Sequence, residues 1–392
     1  MRFGGTHRNV ALCLVLECLW AIHFSVAITV EFYDQFGIDV ATVLAIQALM
    51  SLVGTVCDAP FGYLAVRFGV RRMLLIGVVL QLLQSCLFAF WCRTVPEFIV
   101  TSCLTGVAWA FTYGTTKAMV TETDPEQIVD YSARAIQVRA AGQLFGVLVG
   151  GYLAPVSLSL PVMIQPIAFA LALPAAYAIK SKETIHSRLA HPEFSSLIHI
   201  SKLMLVTRAQ VRWTVLLTTG INASVLAMLW LTQPDMKAAG VPLDMYGNVY
   251  AVRTVAAFVF AHFVQKVLRH VARMTIQIAL TGVVVTCAAF AGLPTGLSGA
   301  IAILLANALA TAVTDPLLTC VIKTQMPKEL TDHGATVYSV ASAVQSALFV
   351  VSPIMGWVNK HYSTDTALLC IAGCTLTFSC FCIYKLKQGL RL

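Results

Sequence analysis

The chain has 392 residues, 58% hydrophobic and 11% charged, with a mean hydropathy of +0.80. A soluble domain carries roughly 25% charged residues, so one aqueous core cannot hide this much apolar side chain and lipid must be the solvent for much of the surface. The net charge of +8 is scattered over short loops, which excludes a long basic segment suited to nucleic acid.

In lipid every backbone N–H and C=O must be paired inside the protein, by helices or a closed barrel. The apolar runs are too long for alternating barrel strands and suit helices crossing a core of roughly 30 Å. In chain order they predict spans at 9–31, 40–66, 73–92, 97–120, 132–155 and 158–179, then 212–233, 246–268, 274–293, 297–322, 334–358 and 364–386. The first run is too long for the apolar core of a cleaved signal and is read as the first span. The expectation is an all-α membrane protein with twelve transmembrane helices. Residues 1–179 form an N-terminal six-helix bundle, 180–211 a cytoplasmic central loop and 212–392 a C-terminal six-helix bundle. Within the loop, the spacing of Leu197, Ile198, Ile200, Leu203, Met204 and Leu205 predicts a helix lying on the membrane surface, with 183–193 as linker.

With the N-terminus placed inside, 21 of the 26 Lys and Arg fall in cytoplasmic segments, Arg134 and Arg139 among them, against Arg93, Lys237 and Lys360 outside. That asymmetry predicts both termini in the cytoplasm of a multi-pass cell (inner) membrane protein. The halves also repeat. At an offset of 202 residues, Pro125, Asp130, Ala133 and Gln143 match Pro327, Asp332, Ala335 and Gln345. This supports two bundles related by an axis along the membrane normal.

Residues Gly62 to Arg72 read Gly-Tyr-Leu-Ala-Val-Arg-Phe-Gly-Val-Arg-Arg, between spans 2 and 3. The segment resembles the signature loop of the major facilitator superfamily, with Gly62, Arg67, Gly69 and Arg71 matching the cytoplasmic gate motif. Val66 stands where that family usually carries Asp. Upstream, Asp58-Ala-Pro60-Phe-Gly62 resembles the lead-in of the bacterial drug and metabolite–proton antiporters. Gly142, Gly146, Gly150 and Gly151 form a loose version of their glycine-rich fifth helix. The resemblance implies a gradient-driven carrier in which spans 1, 4, 7 and 10 line a central cavity. Loss of the Asp at Val66 implies weaker closure of the cytoplasmic side, or closure through Glu122 or Asp130.

An ionisable group in hydrocarbon is costly and marks a functional candidate. Glu17, Asp58 and Asp315 are candidates for proton coupling, each with a structural hydrogen bond as the alternative. His23, Lys117 and Arg253 are candidates to receive a solute; for His23 the alternative is packing, and for Lys117 snorkelling to the headgroups. Gln143, Asn222, Trp230 and Gln345 complete the candidate binding set, with packing the equal alternative for each. Glu31, Asp34 and Asp39 read as a solvated acidic mouth.

No nucleotide-binding loop, metalloprotease motif or nucleophile elbow is present in the sequence, and the twelve cysteines sit in apolar runs without metal-ligand spacing. No enzyme activity, metal or cofactor is therefore expected. The partners expected are a small-molecule substrate, protons and the lipid bilayer, with no nucleic acid, and the protein is expected to act as a monomer. The function read from the sequence is secondary active transport by alternating access, as proton-coupled export of a drug, siderophore or metabolite. The alternative is proton symport of an anionic nutrient or ferric siderophore, and a non-transporting receptor is a remote third.

Overall fold

The computed structural model describes residues 4–112, 115–116, 119–120, 128–179, 202–325 and 343–389. Among them the chain is helical throughout, with no strand. The helices are α1 (Gly4–Ala21), α2 (Thr29–Asp34), α3 (Val40–Phe68), α4 (Val70–Phe90), α5 (Val95–Thr112), α6 (Ile128–Leu153) and α7 (Ser159–Ala178). They continue with α8 (Ala209–Ala238), α9 (Leu243–His270), α10 (Arg273–Ala291), α11 (Leu297–Gln325), α12 (Ser352–His361) and α13 (Thr364–Gly389). Ten helical segments among the described residues are long and apolar enough to cross a membrane. Charged α6 and the helical stretch 343–361, interrupted at Val350–Val351, occupy the places expected for spans 5 and 11. Of the expected surface helix only a π turn, Leu203–Thr207, is described; the 183–193 linker lies outside the described residues.

Two of the expected spans are present with added detail. Span 1 is not one continuous helix: α1 ends at Ala21, Ile22–Ser25 are non-helical, and a 3-10 turn at Val26–Ile28 leads into α2. The chain then bends into a ring cluster in which the Tyr33 and Phe98 ring centroids lie 4.5 Å apart, with Phe88 edge-on to both. Span 7 is also longer than hydropathy indicates. α8 runs to Ala238 and carries Asp235 inside the helix, because Met236 and the buried side of the last turn hold it against its neighbours.

The chain forms two compact units. The first comprises 1–36, 49–192 and 243–251; its core includes Cys13, Leu16, Leu74, Tyr131 and Ala172. The second comprises 37–48, 193–242 and 252–392, around Leu217, Met228, Val284, Ile303 and Leu368. Large apolar side chains such as Val56, Phe145, Ile167, Phe258 and Phe381 are exposed, as a lipid solvent requires.

The signature segment is a helix–turn–helix corner. Gly62 and Arg67 lie on the helical backbone of α3, and Gly69 joins α3 to α4 at φ +89°, a conformation that favours glycine. Arg71 donates from Nη2 to the carbonyl of Tyr177 at 2.9 Å and sits 5.7 Å from the Tyr177 ring centroid. The corner is thereby tied to the last turn of α7.

Candidate functional site

The first unit places a carboxylate inside the membrane span with a full set of donors. Glu17, on α1, is only 4% exposed. Its Oε1 accepts hydrogen bonds from Thr116 Oγ1 at 2.5 Å and Tyr131 Oη at 2.9 Å. Its Oε2 accepts from Arg139 Nε at 2.5 Å. Tyr131 and Arg139 both come from α6, eight residues apart and therefore on nearly the same face of the helix. Charge-assisted bonds of this kind are stronger than neutral ones, and a carboxylate this deeply buried is tolerated because every lone-pair direction used meets a donor. The sequence placed Arg139 in a cytoplasmic segment; the structure places it in the bundle, opposite Glu17. Gln143 follows one turn later on the Arg139 face and is half-buried.

Beside this cluster the backbone of the first span is open, and a single side chain repairs it. Gln165 of α7 donates from Nε2 to the carbonyl of Ile22 at 2.8 Å and accepts from the N–H of Phe24 at 2.9 Å through Oε1. Non-helical backbone at membrane depth persists only where protein satisfies it, and Gln165 meets that need in both directions. On the other side, α6 approaches through glycines. A Cβ at Gly146 would lie 2.7 Å from the backbone N of His23, and one at Gly150 would collide with the Phe24 carbonyl. The glycine-rich run thus serves backbone contact with the break. His23 sits in the break, half-buried, its ring edge-on to Phe169 with centroids 6.1 Å apart.

The second unit holds a separate polar chain. Arg253 of α9 donates from Nε to Asn307 Oδ1 of α11 at 2.6 Å, and Asn307 Nδ2 donates to the Val225 carbonyl of α8 at 3.1 Å. One helical turn before Val225, Asn222 Oδ1 accepts from Thr314 Oγ1 at 3.1 Å. Three helices are joined through side chains that hydropathy treats as isolated. Trp230 is half-buried against the core of this unit, and Gln345 is half-buried on the 343–349 helical stretch.

The remaining candidates stand as follows. Asp58 is half-buried on α3, beside Pro60, and is not among the groups bonded to Glu17. Asp315 lies on the α11 backbone next to the in-helix Pro316. Lys117 lies outside the described residues, as do Glu122 and the repeat partners Pro125, Pro327, Asp332 and Ala335. Asp39, of the expected acidic mouth, is paired: Thr42 N–H donates to its Oδ1 at 2.8 Å and Lys360 Nζ to its Oδ2 at 2.7 Å. Sequence reasoning missed Arg139, Thr116, Tyr131, Gln165 and Asp235. A signal existed for one of them: Arg139 stands one turn from Gln143 and just ahead of the Gly142–Gly146–Gly150 series, inside a helix rather than a loop.

A many-span helical membrane protein with a bonded carboxylate, a broken span and an arginine chain in its bundles has the parts of a solute carrier. The Major Facilitator Superfamily matches residues 10–353; the chain belongs to that family and is a multi-pass membrane transporter, not an enzyme. No curated relative matches it. Among solved structures it is similar to the nucleoside transporter NupG, with a TM-score of 0.78 and 11% identity over 98% of this chain and 99% of that one. It is similar also to a POT family transporter in complex with 5-aminolevulinic acid (TM-score 0.78, 12% identity, 99% and 98% covered). A D-xylose–proton symporter aligns with a TM-score of 0.74 at 16% identity over 96% of this chain and 97% of that one. At these identities the likeness is one of fold.

Proposed function

We propose that this transporter is proton-coupled, moves a small organic solute by alternating access, and uses Glu17 as a coupling carboxylate. The observation that carries the reading is the Glu17–Arg139 pair, buried on the Glu17 side and bonded at 2.5 Å. Adding a proton to Glu17 removes the negative partner of Arg139, so proton occupancy and the availability of the guanidinium are linked. Asp58 and Asp315 are secondary coupling candidates. His23 and Gln143 in the first unit, and Asn222, Trp230, Arg253 and Gln345 in the second, supply the solute contacts. Lys117 belongs to the same proposed set. The carrier works as a monomer of two rocking bundles, 1–179 and 212–392, joined by 180–211. It sits in the inner membrane with both termini cytoplasmic, as the Lys and Arg asymmetry supports.

For direction, proton antiport exporting a drug, siderophore or metabolite is supported by the Asp58-Ala-Pro60-Phe-Gly62 lead-in. The second reading is symport of an anionic solute. It is favoured by the ion pair itself: protonating Glu17 breaks its ion pair with Arg139, and the guanidinium can exchange that carboxylate for a solute's carboxylate or phosphate, so proton and anion bind together. The test is flux in proteoliposomes of known orientation against a metabolite panel under an imposed pH gradient. Solute leaving against an inward proton gradient establishes export, and co-entry with protons establishes symport. Gradient-driven flux unchanged in Glu17→Gln would sink the coupling assignment.

A further inference from the structure

The C-terminal end of α8 contains an acid that the Glu17 mechanism does not use. Asp235 follows the in-helix Pro234, is 6% exposed, and has an Oδ2 shut off from solvent with no hydrogen-bond partner among the described residues. An ionised carboxylate in that position would have one oxygen neither hydrated nor bonded. Its surroundings add negative rather than positive character. Asp365, in the first turn of α13, is the charged group that acts on it. Asp235 also lies in the last turn of α8, its own carbonyl accepting from Ala239 N–H, where the helix carbonyls concentrate partial negative charge. Among the described residues, no cation is found acting on it, and Asp365 is the one charged group that does. The end of α10 and the start of α11, residues 291–298, contain no ionisable side chain. At the end of α12, Lys360 is bonded to Asp39, and His361 stacks on Trp357. The π turn Leu203–Thr207 packs at the opposite end of α8 and carries no charge. On α8 itself, Lys237 is exposed.

We propose that Asp235 is a proton-binding site at the C-terminal end of α8, occupied in this conformation. A carboxylic acid has no net charge to desolvate, so protonation removes the larger part of the cost of an oxygen shut off from solvent. When that end becomes hydrated, the O–H bond breaks, the proton passes to water, and the carboxylate stays behind next to Asp365. The role in coupling rests on the transporter reading; the occupancy does not.

The test is infrared difference spectroscopy of the full-length protein in liposomes, titrated with pH in the absence of solute and gradient. The protonated-carboxyl stretching band present at neutral pH is expected to lose one carboxyl in Asp235→Asn and to be retained in Glu17→Gln, since Glu17 is ionised in its pair. Asp365→Asn, which leaves Asp235 in place, is expected to shift the band's disappearance to lower pH, because a repelling charge is gone. An Asp235→Asn spectrum identical to wild type would overturn the proposal, as would an Asp365→Asn titration that does not move. Gradient-driven flux in the same liposomes reports separately on the transport reading.

Discussion

Arg139 on α6 and Glu17 on α1, 122 residues apart in sequence, meet through Nε and Oε2 at 2.5 Å. The two ends of this bond have different environments. Glu17 is buried, with 5% of its side chain exposed, whereas Arg139 keeps 40%. The exposed side of the arginine lies outside the protein core, while the carboxylate is enclosed by it. The pair is thus asymmetric: the buried carboxylate relies on its donors, and the guanidinium is the partner with an exposed side.

Removing Arg139 should cost more than removing both partners. Stripping one member from a buried pair costs about 3–5 kcal/mol, and the exposure of Arg139 discounts this to about 1–3 kcal/mol because water screens the guanidinium. Arg139→Ala is expected to lose that much stability in detergent unfolding. Glu17→Gln combined with Arg139→Gln should recover most of it, since no charge is then stranded. A double variant as unstable as the sum of the singles would show that the pair is not coupled.

The break at Ile22–Ser25 depends on one side chain. Gln165→Leu, close in volume, leaves the Phe24 N–H and the Ile22 carbonyl without their partner. Unmade buried hydrogen bonds cost about 1–3 kcal/mol each, so a loss of about 2–4 kcal/mol is expected for the two. Amide hydrogen exchange should rise at Phe24 specifically. Unchanged protection there would mean the backbone finds another partner.

Two glycine-to-alanine changes separate close approach from helix propensity. Gly146→Ala puts a methyl within 2.7 Å of the His23 nitrogen, whereas Gly282, on α10, has nothing within 4 Å of a built Cβ. Gly282→Ala should be neutral or stabilising by about 0.5–1 kcal/mol, the helical gain of alanine over glycine. Gly146→Ala should lower the melting temperature and abolish transport. Equal behaviour of the two would remove the argument that α6 needs glycine against the break.

The Asp39–Lys360 pair gives a pH-dependent term with a definite sign. Partial burial pushes the Asp39 carboxyl up, but the bonds from Lys360 and Thr42 outweigh it and hold it below the ordinary aspartate value of 3.8. A depressed value means that the contribution is present above the unfolded value and is lost as pH falls through the folded one. Lys360→Met should therefore lower stability at neutral pH and make no difference well below pH 3.8. With 55% of the Lys360 side chain exposed, the effect is at most about 0.5–1 kcal/mol. A difference that persists in acid would point to packing rather than charge.

The sequence by itself determined the solvent, the fold class and most helix positions. The lipid requirement and the length of an apolar run are properties of local stretches, and they carried spans such as 40–66 and 158–179 onto α3 and α7 within a few residues. The Gly62–Arg72 corner was legible for the same reason, because a turn and its glycine are local. Glu17, Arg253 and Asn222 were visible as polar residues in apolar surroundings, but their partners were not. Those depend on how each helix is rotated about its axis and which neighbour it packs on, and a hydropathy window averages over that rotation. Arg139 falls inside the predicted span 132–155 and still counts with the cytoplasmic cations, because nothing local distinguishes a cation at a helix end from one facing a partner in the bundle. The break after Ala21 was invisible because its cause is distant: glycines on α6 and the amide of Gln165 on α7 stabilise an unwound backbone that local propensity alone would keep helical. Tertiary structure alone decided which carboxylate found donors, as Glu17 did, and which kept an orphaned oxygen, as Asp235 did.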